Sequence, residues 1–492
     1  MIQKGIRSAK GMAVFMLLVS GILPAACATG IDARPDLHAA LDRYRYEFVK
    51  VHPGEVLPAS DPDYVLFAEA MRLVLGAYVN PTAPHLLVDR ALEGMWARKE
   101  SEPEASRHAL TEGAIDGMLA GLDPYSGFLD AEHVHNLREQ MHGEYAGFGM
   151  DVAMDDRTGF LRVVSSDKNS PAARAGVRSG DLIVTINGQQ VRGLTLNDVA
   201  ARIRGPAGRA VDIQVLRSDS SSPVRISMIR TVFKVRPLLY RLEGNVAYIS
   251  IAYFNEQTAQ SLTEAIDAMR VQAGGRLAGA VLDLRNNPGG LLEQGIKVAG
   301  RFLGGAEIVS TRGRAATTQH YRSGDSADVL RGAPLVVLIN GFSSSSSEIV
   351  AGALQDYRRA LLLGTRSYGK GTVQTVFWLP TGEGIRLTTA HYFRPSGASV
   401  ECFGISPNVE IMPSPHQKGP VNPAPAVTAL PDHAACDQTT APPPPRKWLM
   451  AELCPDIARV ASGAMPGMVL DVPLECALAT IRTGRMKTVA QP

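Results

Sequence analysis

Cysteine is nearly absent from the body of this chain. Of five cysteines, Cys27 stands near the start and the next is Cys402, so the long stretch between them is built without a disulfide and must be held by packing. Cys436, Cys454 and Cys476 follow at intervals of 18 and 22 residues, which is not a zinc-ligand pattern. In an oxidising compartment two of these three can pair and staple a small C-terminal unit. Excess charge is missing too. Fifty Lys and Arg face 48 Asp and Glu, and without Lys4, Arg7 and Lys10 the balance falls to about −1, which leaves no electrostatic footprint for nucleic acid. Apolar runs of membrane-spanning length are lacking as well: Gly11 to Leu23 is about 13 residues where roughly 20 are needed, and no later segment reaches spanning length without charges. With hydrophobic residues at 45% and charged residues at 20%, wholesale disorder, a collagen and a disulfide miniprotein are excluded, and 492 residues suggest about three domains.

The three cations before that apolar run, and the small residues Pro24-Ala25-Ala26-Cys27-Ala28 after it, predict a secretory signal peptide over 1–28. Ala26-Cys27-Ala28 fits a small-x-small cleavage site. Leu23-Pro24-Ala25-Ala26-Cys27 resembles a bacterial lipobox, so lipidation of Cys27 and peripheral membrane association are the alternative. Either way the expected location is the periplasm or cell envelope of a bacterium.

Residues 29–141 are expected to form a helical N-terminal region, because Val65, Ala68, Met71 and Leu75, then Leu86, Ala91 and Met95, recur at helical spacing. Asp123-Pro124 and Ser126-Gly127 mark a turn between two helices, which by itself says nothing about chemistry. Over 142–231 the pattern changes to short β-type runs (160–164, 182–186, 211–216, 224–229) with one helical stretch, Leu196 to Arg204. Here Tyr145-Ala146-Gly147-Phe148-Gly149-Met150, then Ser170-Pro171-Ala172-Ala173-Arg174-Ala175-Gly176 through Asp181, then Ile186-Asn187-Gly188, resemble a PDZ domain. The resemblance implies capture of a peptide C-terminus: the loop Ala146, Gly147, Phe148 and Gly149 turns amides toward the carboxylate, and the peptide adds as a strand.

Over 232–412 strands and helices alternate (strands 246–254, 279–284 and 335–340; helices 258–270, 291–302 and 346–357), which predicts an α/β layer with a largely parallel core. Runs 372–378 and 385–393 read as antiparallel additions to it. The proline-dense 413–447 reads as linker, and 448–482 as short helical or irregular structure; 413–492 form a Cys-containing tail.

The chemistry concentrates in Asn340-Gly341-Phe342-Ser343-Ser344-Ser345-Ser346-Ser347-Glu348, where an apolar strand ends in serines that open a helix. Ser346 or Ser347 can cap that helix, with Glu348 favourable at its positive end. A serine at such a turn can equally be a nucleophile, since free amides stabilise an oxyanion. Spacing does not choose among the five. A base is also required. Of 11 histidines only His320 and His391 fall in the α/β region, and neither sits in a catalytic motif. Gly369-Lys370-Gly371-Thr372-Val373-Gln374 offers a lysine between glycines, and burial can lower a lysine's pKa from about 10.4 by up to ~3–5 units. If this stretch makes a helical turn, the Gln374 amide can hold the amine without adding charge.

Together with Ala351-Gly352-Ala353-Leu354-Gln355-Asp356-Tyr357, Leu387-Thr388-Thr389-Ala390, Pro395-Ser396-Gly397 and Asp283-Leu284-Arg285-Asn286-Asn287-Pro288-Gly289-Gly290, these motifs resemble the C-terminal processing peptidases, peptidase family S41, over roughly 60–412. The resemblance implies an α/β peptidase core of crotonase/ClpP-like layers with an inserted PDZ domain and a helical N-terminal region. It implies Ser345 as nucleophile, Lys370 as general base, Gln374 as the residue orienting it, and the backbones of Gly289, Gly290 and Ser346 as oxyanion donors. Expected substrates are proteins or peptides with free C-termini, an adaptor being a possible further partner, with no nucleic acid and no metal or organic cofactor. Phe342, Ser344 and Ser346 replace small residues usual in the family, and His391 stands where arginine is common. Asp356 lies about 16 Å along a helix from Ser345 and is expected to support the site structurally. Two rival readings are a non-catalytic PDZ receptor on a peptidase-like fold and a Ser/His esterase using His391.

Overall fold

The computed structural model describes residues 17–20, 34–52, 57–155, 157–166, 170–194, 199, 202–203, 207–217, 219–220, 222–234, 236–314, 318–412, 449–457 and 470–485. Most of the expected signal peptide and the linker 413–447 lie outside these residues, as does most of the helix expected over 196–204. The chain forms two compact units, one of 1–13 and 135–236, the other of 14–134 and 237–492. Among the described residues, no helix is long and apolar enough to cross a membrane.

The larger unit begins with β1 (Leu17–Ser20) and four helices, α1 (Pro35–Val51), α2 (Pro62–Ala77), α3 (Pro84–Ser101) and α4 (Arg107–Ala120). Proline in the first turn opens α1, α2 and α3, and the Asp61 and Ser106 side chains cap α2 and α4. The helical period is as expected, but its phase differs at two positions: Ala68, Met71, Leu75, Ala91 and Met95 are buried, whereas Val65 and Leu86 face solvent. α1 falls within the helical region expected over 29–141, and Leu37, Leu41, Tyr44 and Phe48 supply its buried stripe. After β2 (Gly127–Leu129), α5 (Ala131–His142) carries the chain into the smaller unit.

The smaller unit is β-rich. β3 (Glu144–Gly147) pairs with β10 (Thr231–Lys234), and a six-stranded antiparallel sheet runs in the order β4 (Met150–Met154), β5 (Leu161–Ser166), β6 (Leu182–Ile186), β8 (Ala210–Leu216), β9 (Val224–Ile229), with β7 (Gln189–Gln190) on β6. One short helix, α6 (Pro171–Arg174), is capped by the Ser170 hydroxyl. β4 is an edge strand, and the loop Gly147-Phe148-Gly149 precedes it directly. Phe148 is buried in the unit's core and its carbonyl accepts from Ala172 N at 3.0 Å. A strand edge beside a glycine loop is what addition of a peptide strand requires.

Back in the larger unit, β11 (Leu238–Glu243), β12 (Val246–Ile251), β13 (Gly279–Asp283), β17 (Leu335–Ile339), β18 (Leu361–Gly364) and β21 (Val409–Glu410) form one sheet, parallel except for β11. Its side chains divide with period two. Ala247, Ile249, Ala280, Leu282, Val337 and Ile339 face a core shared with α7 (Thr258–Gln272), α8 (Leu292–Gly300) and α9 (Ser346–Asp356). Tyr248, Val281, Val336 and Leu338 face a second core, closed by α10 (Met450–Leu453) and α11 (Val472–Arg482). Burial on both faces accounts for the unbroken apolar strands. It also gives the tail a structural role: stapled by Cys454–Cys476, it covers the sheet's outer face.

The strands expected as additions to this sheet do not join it. β19 (Thr372–Trp378) and β20 (Gly384–Phe393) pair antiparallel in a separate sheet with β2, β14 (Gly290–Leu291), β15 (Glu307–Gly313), β16 (Thr318–Arg322) and β1. The reason lies in their far faces: Phe377, Ile385 and Leu387 pack into the core of the four N-terminal helices, so these strands need their own partners.

Candidate active site

The serine run sits where β17 gives way to α9. All five serines are buried, and their hydroxyls separate them. Ser343 Oγ donates to Leu284 O at 2.8 Å, Ser346 Oγ to Gly290 O at 3.1 Å and Ser347 Oγ to Asn287 O at 2.9 Å. Only the hydroxyls of Ser344 and Ser345 lack a partner among the five. Of those two, Ser345 alone has a positive φ, with φ 58° and ψ −119°. A non-glycine residue held in that region stores strain of order 1–3 kcal/mol and persists only where its surroundings enforce it. Strand, strained serine and helix follow one another as in a nucleophile elbow. Neither Ser346 nor Ser347 caps α9: Ser345 occupies the N-cap position and Glu348 does the capping through its carboxylate.

Glu348 is the enforcing group. Fully buried, its Oε2 accepts from the amides of Ser345 at 2.8 Å and Lys370 at 3.0 Å, while Oε1 accepts from Gly369 N at 2.7 Å and Ser367 Oγ at 2.6 Å. One carboxylate thus ties the serine turn to the glycine-lysine loop. Burial pushes its pKa up to about 7, against four hydrogen bonds that favour the anion. A second tie is Tyr392, whose hydroxyl donates to Lys370 O at 2.6 Å and reaches Ser345 O at 3.3 Å. Sequence reasoning assigned Glu348 only to the helix dipole. The serine-x-x-glutamate spacing of a capping box was the available signal.

Lys370 is completely buried, and that burial, with the Arg386 charge second, pushes its amine down to about 7. Glu401, Asp123 and Glu348 oppose the shift. The flanking glycines act as expected: a Cβ on Gly371 would stand 2.5 Å from Glu401 N, so the loop packs where no side chain fits. The turn that seemed chemically silent supplies a wall of the site. Asp123 Oδ1 accepts from Tyr125 N and Ser126 N, and the Tyr125 ring lies under Lys370 Nζ at 4.4 Å from its centroid.

Gln374 departs from expectation. It lies in β19, not on a helical turn. Its Nε2 donates to Thr372 Oγ1 at 2.9 Å and to Thr388 Oγ1 at 3.3 Å, which leaves its buried Oε1 open.

The Pro288-Gly289-Gly290 loop lies against Ser345. A Cβ on Gly289 would stand 2.7 Å from Ser345 Cβ and 3.1 Å from its Oγ, and the φ of 100° also demands glycine. The Gly289 amide, however, already donates to Asn287 Oδ1 at 2.8 Å. Asn287 O in turn accepts from Ser344 N, locking loop and turn together. Asp356 accepts from Arg394 Nε at 3.2 Å and Ser396 N at 3.1 Å, tying the end of α9 to the Pro395-Ser396-Gly397 turn as expected of a structural support. His391 pairs with Thr372 across β19 and β20, on the face where Thr372 Oγ1 accepts from Gln374, and burial, opposed by the Asp123 charge, pushes its pKa down.

A partnerless buried hydroxyl on a strained turn, a buried lysine of lowered pKa and a glycine loop against the hydroxyl are the groups acyl transfer needs. Comparison with known proteins agrees. Residues 245–411 match peptidase family S41, and residues 162–217 match the PDZ domain. The carboxy-terminal-processing protease of Bartonella bacilliformis is 44% identical over 303 residues, 61% of this chain and 69% of that protein. The carboxyl-terminal-processing protease of Synechocystis is 33% identical over 359 residues, 71% and 81% of the two. Among solved structures, the photosystem II D1 C-terminal processing protease is 30% identical with a TM-score of 0.44, over 71% of this chain and 93% of that one. The chain belongs to peptidase family S41 and is a carboxyl-terminal-processing serine peptidase carrying a PDZ domain.

Proposed function

We propose that Ser345 is the nucleophile and neutral Lys370 its general base. The observation that carries this reading is the Ser345 hydroxyl, the one unbonded serine hydroxyl on a positive-φ turn, joined through a single carboxylate to the Lys370 backbone. The Lys370 amine takes the hydroxyl proton as Oγ attacks the scissile carbonyl carbon. The oxyanion forms against the amides of Gly290 and Ser346; Gly289 contributes room rather than a donor, because its N–H is committed. The resulting ammonium, over the Tyr125 ring, is favoured by a cation–π contact and passes its proton to the leaving amine as the C–N bond breaks. Water then repeats the sequence on the acyl-enzyme. Gln374, with its amide oriented by two threonines and its oxygen open, positions the lysine.

Substrate enters as an extended strand. In support, the chain's own Leu17–Ser20 pairs parallel with both β14 and β19, with Leu17 opposite Gly290 and Leu18 opposite Gln374. The slot beside the glycine loop therefore accepts a main chain. The PDZ unit takes the free C-terminus at Ala146, Gly147, Phe148 and Gly149, with the β4 edge receiving the strand. Substrates are exported proteins, since the basic, apolar and small-residue order of residues 1–28 is that of a signal peptide; Cys27 is the site of lipidation if the lipobox is read, and an adaptor is compatible with PDZ capture.

The test is to acylate the mature chain with a peptidyl active ester and map the modified residue by mass. Acylation at Ser345, absent in Ser345→Ala and retained in Ser344→Ala, is expected. Acylation at Ser344, or undiminished acylation after Lys370→Ala, would remove the assignment.

A further inference from the structure

At the turn end of the β19–β20 hairpin, about 20 Å along β19 from Thr372, the helical region meets the peptidase sheet at a polar cluster. His108 and Glu112 stand one turn apart on α4, and Glu383 immediately precedes β20. His108 Nε2 is 2.8 Å from Glu383 Oε1 and 3.6 Å from Glu112 Oε1, and one ligand atom from each residue lies within 4.8 Å of the other two.

Each residue is held from outside by its other polar atom. Asp63 Oδ1 lies 2.8 Å from His108 Nδ1, Arg98 Nη2 donates to Glu112 Oε2 at 3.2 Å, and Thr381 Oγ1 donates to Glu383 Oε2 at 2.7 Å. With Nδ1–H donating to Asp63, the Nε2 lone pair faces two carboxylate oxygens. Three acceptors converging in this way repel one another unless a cation lies among them. A proton on Nε2 satisfies the Glu383 contact but not Glu112, whose oxygen is beyond hydrogen-bond reach. A metal ion satisfies all three.

One imidazole nitrogen backed by a carboxylate, with two carboxylate oxygens, is a zinc-type donor set. Tetrahedral zinc with bonds of about 2.0–2.1 Å has ligand–ligand edges of about 3.3 Å, between the 2.8 and 3.6 Å found here. The His108 side chain is 47% exposed, so a water can complete the shell. Calcium and magnesium, which take six or more oxygens, fit the set poorly.

We propose that His108, Glu112 and Glu383 bind a zinc-class divalent cation, with Asp63 orienting the imidazole, and that this ion clamps α4 to the β19–β20 hairpin. The residues lie outside the peptidase machinery, so the ion is structural.

The test uses the untagged mature chain, stripped with EDTA and titrated calorimetrically with Zn²⁺. Expected are one ion per chain, a thermal unfolding midpoint that rises with Zn²⁺, and a roughly 100-fold weaker Kd in both His108→Ala and Glu383→Gln. Glu112→Gln, at a partly exposed helix position, serves if either of those fails to fold. Cleavage by the stripped chain should persist. No binding by the wild-type chain would overturn the proposal and leave an ion-paired histidine. Equal binding by wild type and variants would overturn it as well, placing the metal on histidines elsewhere.

Discussion

Replacing Lys370 with methionine should abolish cleavage and at the same time stabilise the protein. The amine is fully buried and its pKa falls from 10.5 to about 7. At about 1.4 kcal/mol per unit, that shift means the protonated side chain costs about 5 kcal/mol in the folded state. Methionine keeps most of the stem's volume and carries no charge, so the cavity term is small. The sign follows from proton counts. The unfolded chain holds the lysine proton up to about pH 10.5, the folded chain releases it near pH 7, and between those values the unfolded state binds more protons, so wild-type stability rises with pH. Below pH 7 the wild type bears the full penalty. The advantage of Lys370→Met should therefore be largest near pH 6 and smaller by about 3 kcal/mol near pH 9. Urea unfolding followed by tryptophan fluorescence is suited to this. Residues 135–236 contain no tryptophan, and Trp96 and Trp378 lie in the larger unit, so the signal follows that unit. A stability difference that does not change with pH, or a destabilised Lys370→Met chain at pH 6, would refute the reasoning.

Other expectations concern the groups around the pair. The rate kcat/KM should rise with pH through about 7 as Lys370 loses its proton, and a flat profile between about pH 6 and 8 would contradict this assignment. Glu348→Gln places an amide where four donors converge; kcat should fall by about 100-fold or more with KM little changed, and a loss confined to KM would count against the clamp. Gly289→Ala should be inactive though folded, because its Cβ would overlap Ser345; retained activity would show that the loop can yield. Removing the Cys454–Cys476 disulfide should lower stability by about 3 kcal/mol, read as a lower thermal midpoint, with an unchanged midpoint as the contrary result.

Much of this was legible in the sequence. Strands 182–186, 224–229 and 372–378 fall where expected because their ends are marked by glycine, proline or polar turns. Which serine matters was not legible, since five identical side chains differ only in φ and in where their hydroxyls point. The setting of Gln374 was read on the wrong period: a helical turn was expected, and the residue lies in β19. Tyr125 and Glu348 escaped for another reason. Their partners lie far along the chain, and only tertiary pairing of Tyr125 with Lys370, or of Glu348 with the 367–370 loop, reveals them. The tail's cover of the parallel sheet was hidden in the same way, although the uninterrupted apolar strands already required something on the second face.

The most direct test is cleavage of an unfolded protein with an apolar C-terminus by the purified mature chain, beside Ser345→Ala, Lys370→Ala and His391→Ala. The account predicts cleavage by the wild type and by His391→Ala, and none by folded Ser345→Ala or Lys370→Ala. Binding of that C-terminus without cleavage by the wild type, or cleavage that survives either substitution, would contradict it.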